Sequence, residues 1–570
     1  MDIIEIKDLC FTYPGTDVPT LKHINLSISK GDFLAIVGNN GCGKSTFCKV
    51  LNGLIPHFIS GQFVGSVLVD GIETVNADVG ILAKKVGYVY QDFENQIVRP
   101  TVLDDASYAC MNYGMQDYKE RGLEALKLCG LKERAAEYIW QLSGGQTHLL
   151  ALAGAVALGP DILILDEPIA QLDPKHADSI YEILKMLNET LNKTIIVIEH
   201  HTEYIANYCK HVLLLKNGNV EWMLPTKEAL NKVEELEANF IFPPQVTQAG
   251  YYLKQMHQWK PDMALPITLD EGKKCFEDFY YKEKERKPVL NINPKETIIE
   301  LKDISVSYQT VKGNVRDVFD NLNVKIHKQD KIAIIGSNGA GKSTLMKLIV
   351  GMLHPKQGEI QINGKGLRDV RPEVLSKNLS LVYQNPEEMF IKDTIYNDIA
   401  YAMQVRNVKN WRQHTEDLLE RFRLTELAEK DGRLLSGGQM RRASLAIGVA
   451  LNPQVLLLDE PTANLDIATR KEIIRTLNDL KEITNTVLIA THDMQLVCEW
   501  ANRILVLHNG SIVADGSRDD IFGDKNLMEM VGIRPPEIFT IGQMLDKQAF
   551  CYTVEEFVQG FKRRREEYAI

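Results

Sequence analysis

The sequence predicts an α/β fold built twice in tandem, each copy a mostly parallel sheet with helices packed against it, a helical subdomain and a small C-terminal appendage. Three observations carry that expectation: a length of 570 residues, a set of landmarks repeated in order, and short apolar runs alternating with helical stretches. A single hydrophobic core stops growing at about 250 to 300 residues, so a chain this long divides. The landmarks place the division. Gly38 and Gly336 lie 298 residues apart, Gln91 and Gln384 293, Ser143 and Ser436 293, Asp166 and Asp459 293, His200 and His492 292, and Tyr13 and Tyr308 295. FLAIVG, ILILDEP and TIIVIEH in the first copy, and KIAIIG, VLLLDEP and TVLIATH in the second, read as strands buried on both faces.

The expected boundaries are 1–225 for the first domain, 226–297 for its appendage and a linker, 298–525 for the second domain, and 526–570 for its appendage. The appendages repeat as well. FPPQVTQAGYYLKQM with LPITLDEGKKCFEDF follows the first copy, and RPPEIFTIGQMLDKQ with CYTVEEFVQGFKRRR the second. Their Pro-Pro entries and short amphipathic helices suit either packing against a core or a role in domain pairing. The charged run KEKERKP, 282–288, reads as a solvated linker.

Composition sets the class: 45% hydrophobic and 25% charged residues are ordinary for a globular protein. No run reaches the ~18 apolar residues of a membrane span, and MDIIEIKDLC lacks the basic and apolar regions of a signal peptide. The chain is therefore expected to remain on the cytoplasmic side. A net charge of -11 argues against a general nucleic-acid binder. The nine cysteines (Cys10, Cys42, Cys48, Cys110, Cys129, Cys209, Cys275, Cys498, Cys551) form no CxxC pair and read as reduced, mostly buried thiols.

Two segments carry phosphate chemistry. Gly38, Asn39, Asn40, Gly41, Cys42, Gly43, Lys44, Ser45 and Thr46 match G-x-x-x-x-G-K-[ST], as do Gly336, Ser337, Asn338, Gly339, Ala340, Gly341, Lys342, Ser343 and Thr344. Each follows an apolar strand and precedes a helical run. The glycines let the backbone wrap a phosphate chain so that its N–H groups and a helix N-terminus meet the negative charge. Lys44 and Lys342 are then expected at the β and γ phosphates of ATP, and the Ser45 and Ser343 hydroxyls at Mg²⁺. ILILDEP and VLLLDEP end buried strands on acidic pairs. Asp166 and Asp459 suit a metal-linked carboxylate, and Glu167 and Glu460 a general base for an attacking water.

LSGGQ occurs at Leu142–Gln146 and again at Leu435–Gln439, about 100 residues beyond each glycine-rich loop. With this element the chain resembles the ATP-binding-cassette ATPases. The resemblance implies that Ser143, Gly144, Gly145 and Gln146, and Ser436, Gly437, Gly438 and Gln439, meet a nucleotide held by the opposite domain. It further implies that Gln91 and Gln384 are Q-loop residues that sense Mg²⁺ and a transmembrane partner. Asp173 and Asp466 then belong to D-loops, His200 and His492 are switch histidines that contact the γ-phosphate, and Tyr13 and Tyr308 stack on adenine. One site would join Lys44, Asp166, Glu167 and His200 to Ser436, Gly437 and Gly438; the other would join Lys342, Asp459, Glu460 and His492 to Ser143, Gly144 and Gly145. The cassettes thus pair within one chain. Family members carry an arginine three positions after the signature glutamine, which Arg442 supplies and Leu149 does not. The site that uses Ser143 is expected to be slower.

VGYVYQDFENQIV with TVLDDASYA, and LSLVYQNPEEMFI with TIYNDIAYA, together with the appendages, resemble the ATPases of energy-coupling-factor importers for vitamins and metal ions. That implies a peripheral subunit on the cytoplasmic face of the membrane, with a transmembrane scaffold subunit and a substrate-binding membrane subunit as partners. Two other twin-cassette classes stand as alternatives, ribosome-acting translation factors and sugar-type importer ATPases. Against the first, the linker is mixed in charge rather than a long basic helix pair; against the second, GSNGAGKST is intact.

Overall fold

The structure, a computed structural model, describes residues 2–169, 172–260, 263–282, 296–309, 315–337, 339–463, 465, 467–480, 484 and 486–564. The chain forms two units. One is Met1–Tyr281 with Met544–Lys547 and the chain from Phe557 on; the other is Lys282–Gln543 with Gln548–Glu556. Of the expected linker, 283–288 lies outside the described residues.

In the first unit the strands are β1 (Asp2–Thr12), β2 (Leu21–Ser29), β3 (Phe33–Val37), β4 (Gln62–Val69), β5 (Ile72–Glu73), β6 (Val86–Val89), β7 (Ile162–Asp166), β8 (Thr194–Ile198), β9 (His211–Lys216), β10 (Asn219–Pro225) and β11 (Phe279–Tyr281). An antiparallel sheet has the order β2-β1-β4-β5, and a six-stranded sheet the order β10-β9-β3-β8-β7-β6. In the larger sheet only β10 runs antiparallel to its neighbour.

The second unit repeats this with β12 (Thr297–Gln309), β13 (Val315–His327), β14 (Lys331–Ile335), β15 (Gln357–Ile362), β16 (Lys365–Gly366), β17 (Leu379–Val382), β18 (Val455–Asp459), β19 (Thr486–Ala490), β20 (Arg503–His508) and β21 (Ser511–Gly516). Its sheets have the orders β13-β12-β15-β16 and β17-β18-β19-β14-β20-β21. A last strand, β22 (Phe561–Arg563), pairs antiparallel with β11 inside the first unit, where Phe557 also meets Phe276 edge-on at 5.2 Å.

Alternation explains why the central strands lack polar residues between their ends. Phe33, Ala35 and Val37 of β3 pack toward one set of helices, with Leu163, Leu165, Ile195 and Val197. Leu34 and Ile36 face the other way, with Ile162, Ile164, Ile196 and Ile198, against the antiparallel sheet and the helix Lys44–Leu51. A strand buried on both sides must be apolar throughout. Both appendages run helix, helix, strand: Gln245–Gln255, Leu269–Cys275 and β11, then Glu537–Leu545, Val554–Gly560 and β22.

A buried carboxylate fixes the start of each central strand. Asp32 receives His211 Nδ1 at 2.9 Å, whereas Asp330 receives the Arg503 guanidinium at 2.8 Å, and Arg503 also grips Asp515 at 2.6 Å. Asp330 is 2% exposed and also accepts from the His327 N–H at 3.0 Å, so removing the Arg503 guanidinium takes the charged partner from a buried carboxylate. Arg503→Met is expected to destabilise the second unit by about 3 kcal/mol. His211→Met, beside a more open pair, is expected to cost less; differential scanning calorimetry of the two variants measures the difference.

Candidate functional site

Each glycine-rich loop leaves the carboxyl end of a central strand and closes on the first turn of a helix. Gly38, Gly41 and Gly43 have φ of 154°, 76° and 107°, and Gly336, Gly339 and Gly341 155°, 80° and 103°. A Cβ on Gly38 would be driven into the Leu215 carbonyl of β9, and one on Gly336 into the Leu507 carbonyl of β20. Only glycine lets the loop run this close to the next strand. Lys44 reaches back across the loop, donating to the carbonyls of Gly38 (2.7 Å) and Asn39 (3.1 Å); Lys342 does the same to Gly336 (2.8 Å) and Ser337 (3.3 Å). Both ammonium groups are thus held in the concavity where a phosphate's oxygens would replace carbonyl partners.

Asp166 ends β7, one strand removed from β3, and its carboxylate bonds the Ser45 hydroxyl. Burial pushes its pKa up, against the pull of Ser45, with the neighbouring Glu167 charge raising it further. Asp459 stands likewise: burial raises its pKa, and the Ser343 hydrogen bond opposes that. A hydroxyl and a carboxylate side by side are hard oxygen donors, the set that suits Mg²⁺. Sequence reasoning missed Tyr88, whose hydroxyl donates to Asp166 at 3.4 Å.

Glu167 and Glu460 follow at φ of 51° and 45°, a left-handed conformation that a non-glycine residue adopts only under constraint. The constraint is visible: the Glu167 N–H donates to the Ile198 carbonyl of β8 (3.0 Å) and that of Glu460 to Ala490 of β19 (2.9 Å). The Glu167 carboxylate accepts from Gln91 Nε2 (2.9 Å) and meets His200 Nε2 (3.2 Å). Burial works to raise its pKa, but the bond and charge of His200, with Lys44, outweigh it and hold Glu167 below the usual range. Gln91, Glu167 and His200 therefore converge on one point. In the second unit His492 meets Glu460 through Nδ1 (3.0 Å), and Gln384 is exposed.

A second buried carboxylate, Glu199, accepts from the backbone N–H groups of His200 (2.8 Å) and His201 (2.9 Å) and from the Tyr181 hydroxyl (2.8 Å). It fixes the backbone that carries the histidine, and burial raises its pKa. Its position between TIIVI and His200 was the available signal.

The signature segments begin helices Gly144–Val156 and Gly437–Val449. Ser143 and Gln146 close a reciprocal cap, with Gln146 Oε1 accepting from the Ser143 N–H at 3.0 Å; Ser436 and Gln439 repeat it at 3.1 Å. Both glutamine side chains are thus engaged within their own cap. Gly145 and Gly438 are required by packing, since a Cβ would strike His176 or Thr469. Among the described residues, nothing lies within 4 Å of a Cβ at Gly144, and only Leu465 reaches 4.0 Å at Gly437. No described neighbour accounts for the absence of a side chain there. Asp173 caps the helix Pro174–Leu191 and pairs with His176 at 2.8 Å.

Tyr13 donates or accepts at the Thr46 hydroxyl (3.1 Å), at the base of the phosphate-loop helix, while Tyr308 is 43% exposed. Asn39, Asn40 and Gly41 form the exposed rim of the first loop, and Cys42 is buried beneath it. Its counterpart Ala340 is also buried. Asn338 and Asp466 lie outside the described residues.

The two signature helices are anchored differently. Arg441, 3% exposed, donates to the Tyr383 (2.9 Å) and Gln384 (2.7 Å) carbonyls, tying the second Q-loop to its signature helix. Burial lowers its pKa to about 10 against the pull of Glu460 and Asp459. Its counterpart His148, 1% exposed, stacks on Phe93 (4.0 Å) with neither ring nitrogen hydrogen-bonded among the described residues, and burial lowers its pKa to about 4. Arg442 pairs with Glu472 at 2.7 Å, while Leu149 is buried among apolar side chains.

Arg441→Met is expected to destabilise the second unit by about 2 to 4 kcal/mol, because two carbonyls lose a charged donor. His148→Met breaks no bond and removes a buried unpaired imidazole, so it is expected to be neutral or slightly stabilising. Sign follows from the depressed pKa: between the ordinary 6.5 and about 4 only the unfolded chain takes up the proton, so His148 costs stability as pH falls through that window. Urea titrations at pH 7 and pH 5 are expected to show that cost in the parent and not in His148→Met.

Two glycine-wrapped loops with a buried Lys, a hydroxyl–carboxylate pair, and a constrained glutamate beside a histidine define an ATP-hydrolysing cassette, present twice. The ABC transporter family model matches residues 21–170 and 319–463, and the chain belongs to that family. It is 31% identical, over 100% of this chain and 98% of the relative, to an ABC transporter ATP-binding protein of Methanosarcina mazei. A second such relative, from Caldanaerobacter subterraneus subsp. tengcongensis, is 31% identical over 98% of this chain and 99% of its own. Among solved structures, cbiO1 from Clostridium perfringens, part of the ABC transporter complex cbiONQ, aligns at 28% identity over 43% of this chain and 98% of that one, with a TM-score of 0.36. ATP-binding proteins of this family work with transmembrane subunits, and among the described residues no helix is long and apolar enough to cross a membrane.

Proposed function

We propose that this chain is the peripheral ATPase subunit of a membrane importer of the energy-coupling-factor type, carrying a vitamin or metal ion, with a scaffold and a substrate-binding subunit in the membrane. The observation that carries the reading is a pair of rigid apolar tips beside the Q-loops. Val98 is 59% and Ile391 63% exposed. Each is clamped by a buried carboxylate: Asp105 accepts from the Val98 and Arg99 N–H groups, and Asp398 from those of Ile391 and Lys392, all at 2.9 Å. Presenting an apolar side chain to water on a fixed backbone suits a docking face for a partner. Val98 and Ile391 follow Gln91 and Gln384 within a few residues of chain, which supports a link between docking and the nucleotide.

In the reaction, Glu167 and Glu460 accept the proton of a water as its oxygen attacks the γ-phosphorus, and the bond to the bridging oxygen breaks to leave ADP and phosphate. Lys44 and Lys342 hold the β and γ phosphates, and His200 and His492 orient the γ-phosphate from the other side. Mg²⁺, held by Ser45, Gln91 and Asp166 or by Ser343, Gln384 and Asp459, would neutralise charge on the phosphate oxygens. We assign Ser436, Gly437 and Gly438 to the site of Glu167, and Ser143, Gly144 and Gly145 to that of Glu460. The bare surface at Gly144 and Gly437 supports that assignment, since a phosphate approaching the helix N-terminus needs the room.

Affinity purification of the full chain from membranes in mild detergent is expected to recover integral membrane subunits. Val98→Asp with Ile391→Asp is expected to lose them while basal ATP turnover persists. Recovery with ribosomes instead overturns the importer reading. Because the Ser436 helix is tied to its Q-loop by Arg441, Glu167→Gln is expected to remove more steady-state ATPase activity than Glu460→Gln; equal losses rule out unequal sites.

A further inference from the structure

On the antiparallel sheet of the first unit, the β1–β2 register shifts at three places, two of them between Ile6 and Leu9 and between Leu9 and Phe11. Asp8 and His23 take left-handed φ of 50° and 47° at these bulges. Asn25 latches them together, accepting from the Asp8 N–H (3.0 Å) and donating to the His23 carbonyl (3.1 Å). Across β4, Gly65 leaves room for the Asp8 carbonyl, which a Cβ would strike. The result is a preformed cluster: one carboxylate oxygen of Asp8, Sγ of Cys10 and an imidazole nitrogen of His23 all lie within 4.8 Å of one another. Asp8 Oδ1 is 2.7 Å from His23 Nδ1, and the His23 N–H donates to Cys10 Sγ at 3.1 Å. The D-x-C…H spacing gave no such signal in the sequence.

The second unit is an internal control. It has the same bulges, with Asp303 at φ 52° and Asn321 at φ 55°. Asn323 accepts from the Asp303 N–H (3.0 Å) and donates to the Asn321 carbonyl (3.1 Å), and Gly358 lies against the Asp303 carbonyl. The places of Cys10 and His23 are taken by Ser305 and Asn321. The fold therefore demands the bulges, the latch and the glycine, and is satisfied without thiol or imidazole.

We propose that Asp8, Cys10 and His23 bind a divalent transition-metal ion of the zinc class, separate from both nucleotide sites. Thiolate, imidazole and carboxylate together suit Zn²⁺ or Co²⁺, whereas Mg²⁺ and Ca²⁺ take oxygen-only sets. Tetrahedral coordination at zinc bond lengths sets ligand atoms about 3.3 to 3.6 Å apart. Parting Asp8 from His23 by about 0.6 Å and drawing in Cys10 is within rotamer reach, since Asp8 and His23 are exposed. Water completes the fourth place at this open surface.

The test uses the full chain, stripped of metal and free of nucleotide, titrated with Co²⁺ and then with Zn²⁺ against a chromogenic chelator. One ion per chain is expected, with a sulfur-to-cobalt band in the near ultraviolet. Cys10→Ser and His23→Asn install the residues the second unit already carries on this backbone, so both are expected to fold. Each should weaken binding at least about tenfold, the scale lost even with an outer-shell partner. Asp8→Asn is expected to weaken it as well, Cys275→Ser not at all, and Mg²⁺-dependent ATP turnover should be unchanged in all four. No cobalt–sulfur band in the parent, or equal Co²⁺ retention by parent and Cys10→Ser/His23→Asn, overturns the proposal.

Discussion

The close passage of a glycine-only backbone past the neighbouring strand is what the rest of each site depends on. Gly38 runs against the carbonyl of Leu215, and Gly336 against that of Leu507, where no side chain fits. That contact seats the phosphate loop on the carboxyl edge of the sheet, and Lys44 or Lys342 stitches the loop closed from within. The strand order then supplies everything else. β8 and β7 lie next in line from β3, so the His200 loop and the Asp166–Glu167 pair arrive at strand spacing, about 4.8 Å per step. Because those strands are buried on both faces, the edge is stiff, and side chains at their ends keep their separations.

The same backbone carries different chemistry in its two copies. Arg441 ties signature helix to Q-loop through two carbonyls, whereas His148 only stacks. A buried carboxylate, Glu199, holds the first histidine loop, whereas Thr491 holds the second through the Asp493 N–H at 3.0 Å. Two ring nitrogens also trade places: His200 faces its glutamate with Nε2 and His492 with Nδ1. In each case the polypeptide path is retained and the polar anchor changes. Two sites built from one template can in this way differ in rate while keeping the same geometry at the phosphate.

What the sequence made legible was local. A phosphate loop is nine consecutive residues whose spacing is itself the chemistry, and an acidic pair ending an apolar run needs no partner to be recognised. The α/β class followed from apolar strand runs alternating with helical stretches, and the duplication from landmarks repeated at a near-constant offset. The groups missed act across long separations. Arg441 reaches carbonyls 58 and 57 residues earlier, and Tyr88 reaches Asp166 across 78. The pairing of β11 with β22 joins Tyr281 to Phe561, two short aromatic stretches with no periodicity to betray them. The left-handed turn at Glu167 was equally hidden, because its cause is a hydrogen bond to the adjacent strand.

Two phosphate cradles, one seated on each sheet, are what the chain offers to nucleotide. Equilibrium dialysis with a non-hydrolysable ATP analogue and Mg²⁺ tests this most directly, on the parent chain and on Lys44→Ala and Lys342→Ala. Two analogue molecules per parent chain and one per variant are expected. A single molecule per parent chain, or an unchanged count in either variant, contradicts the account.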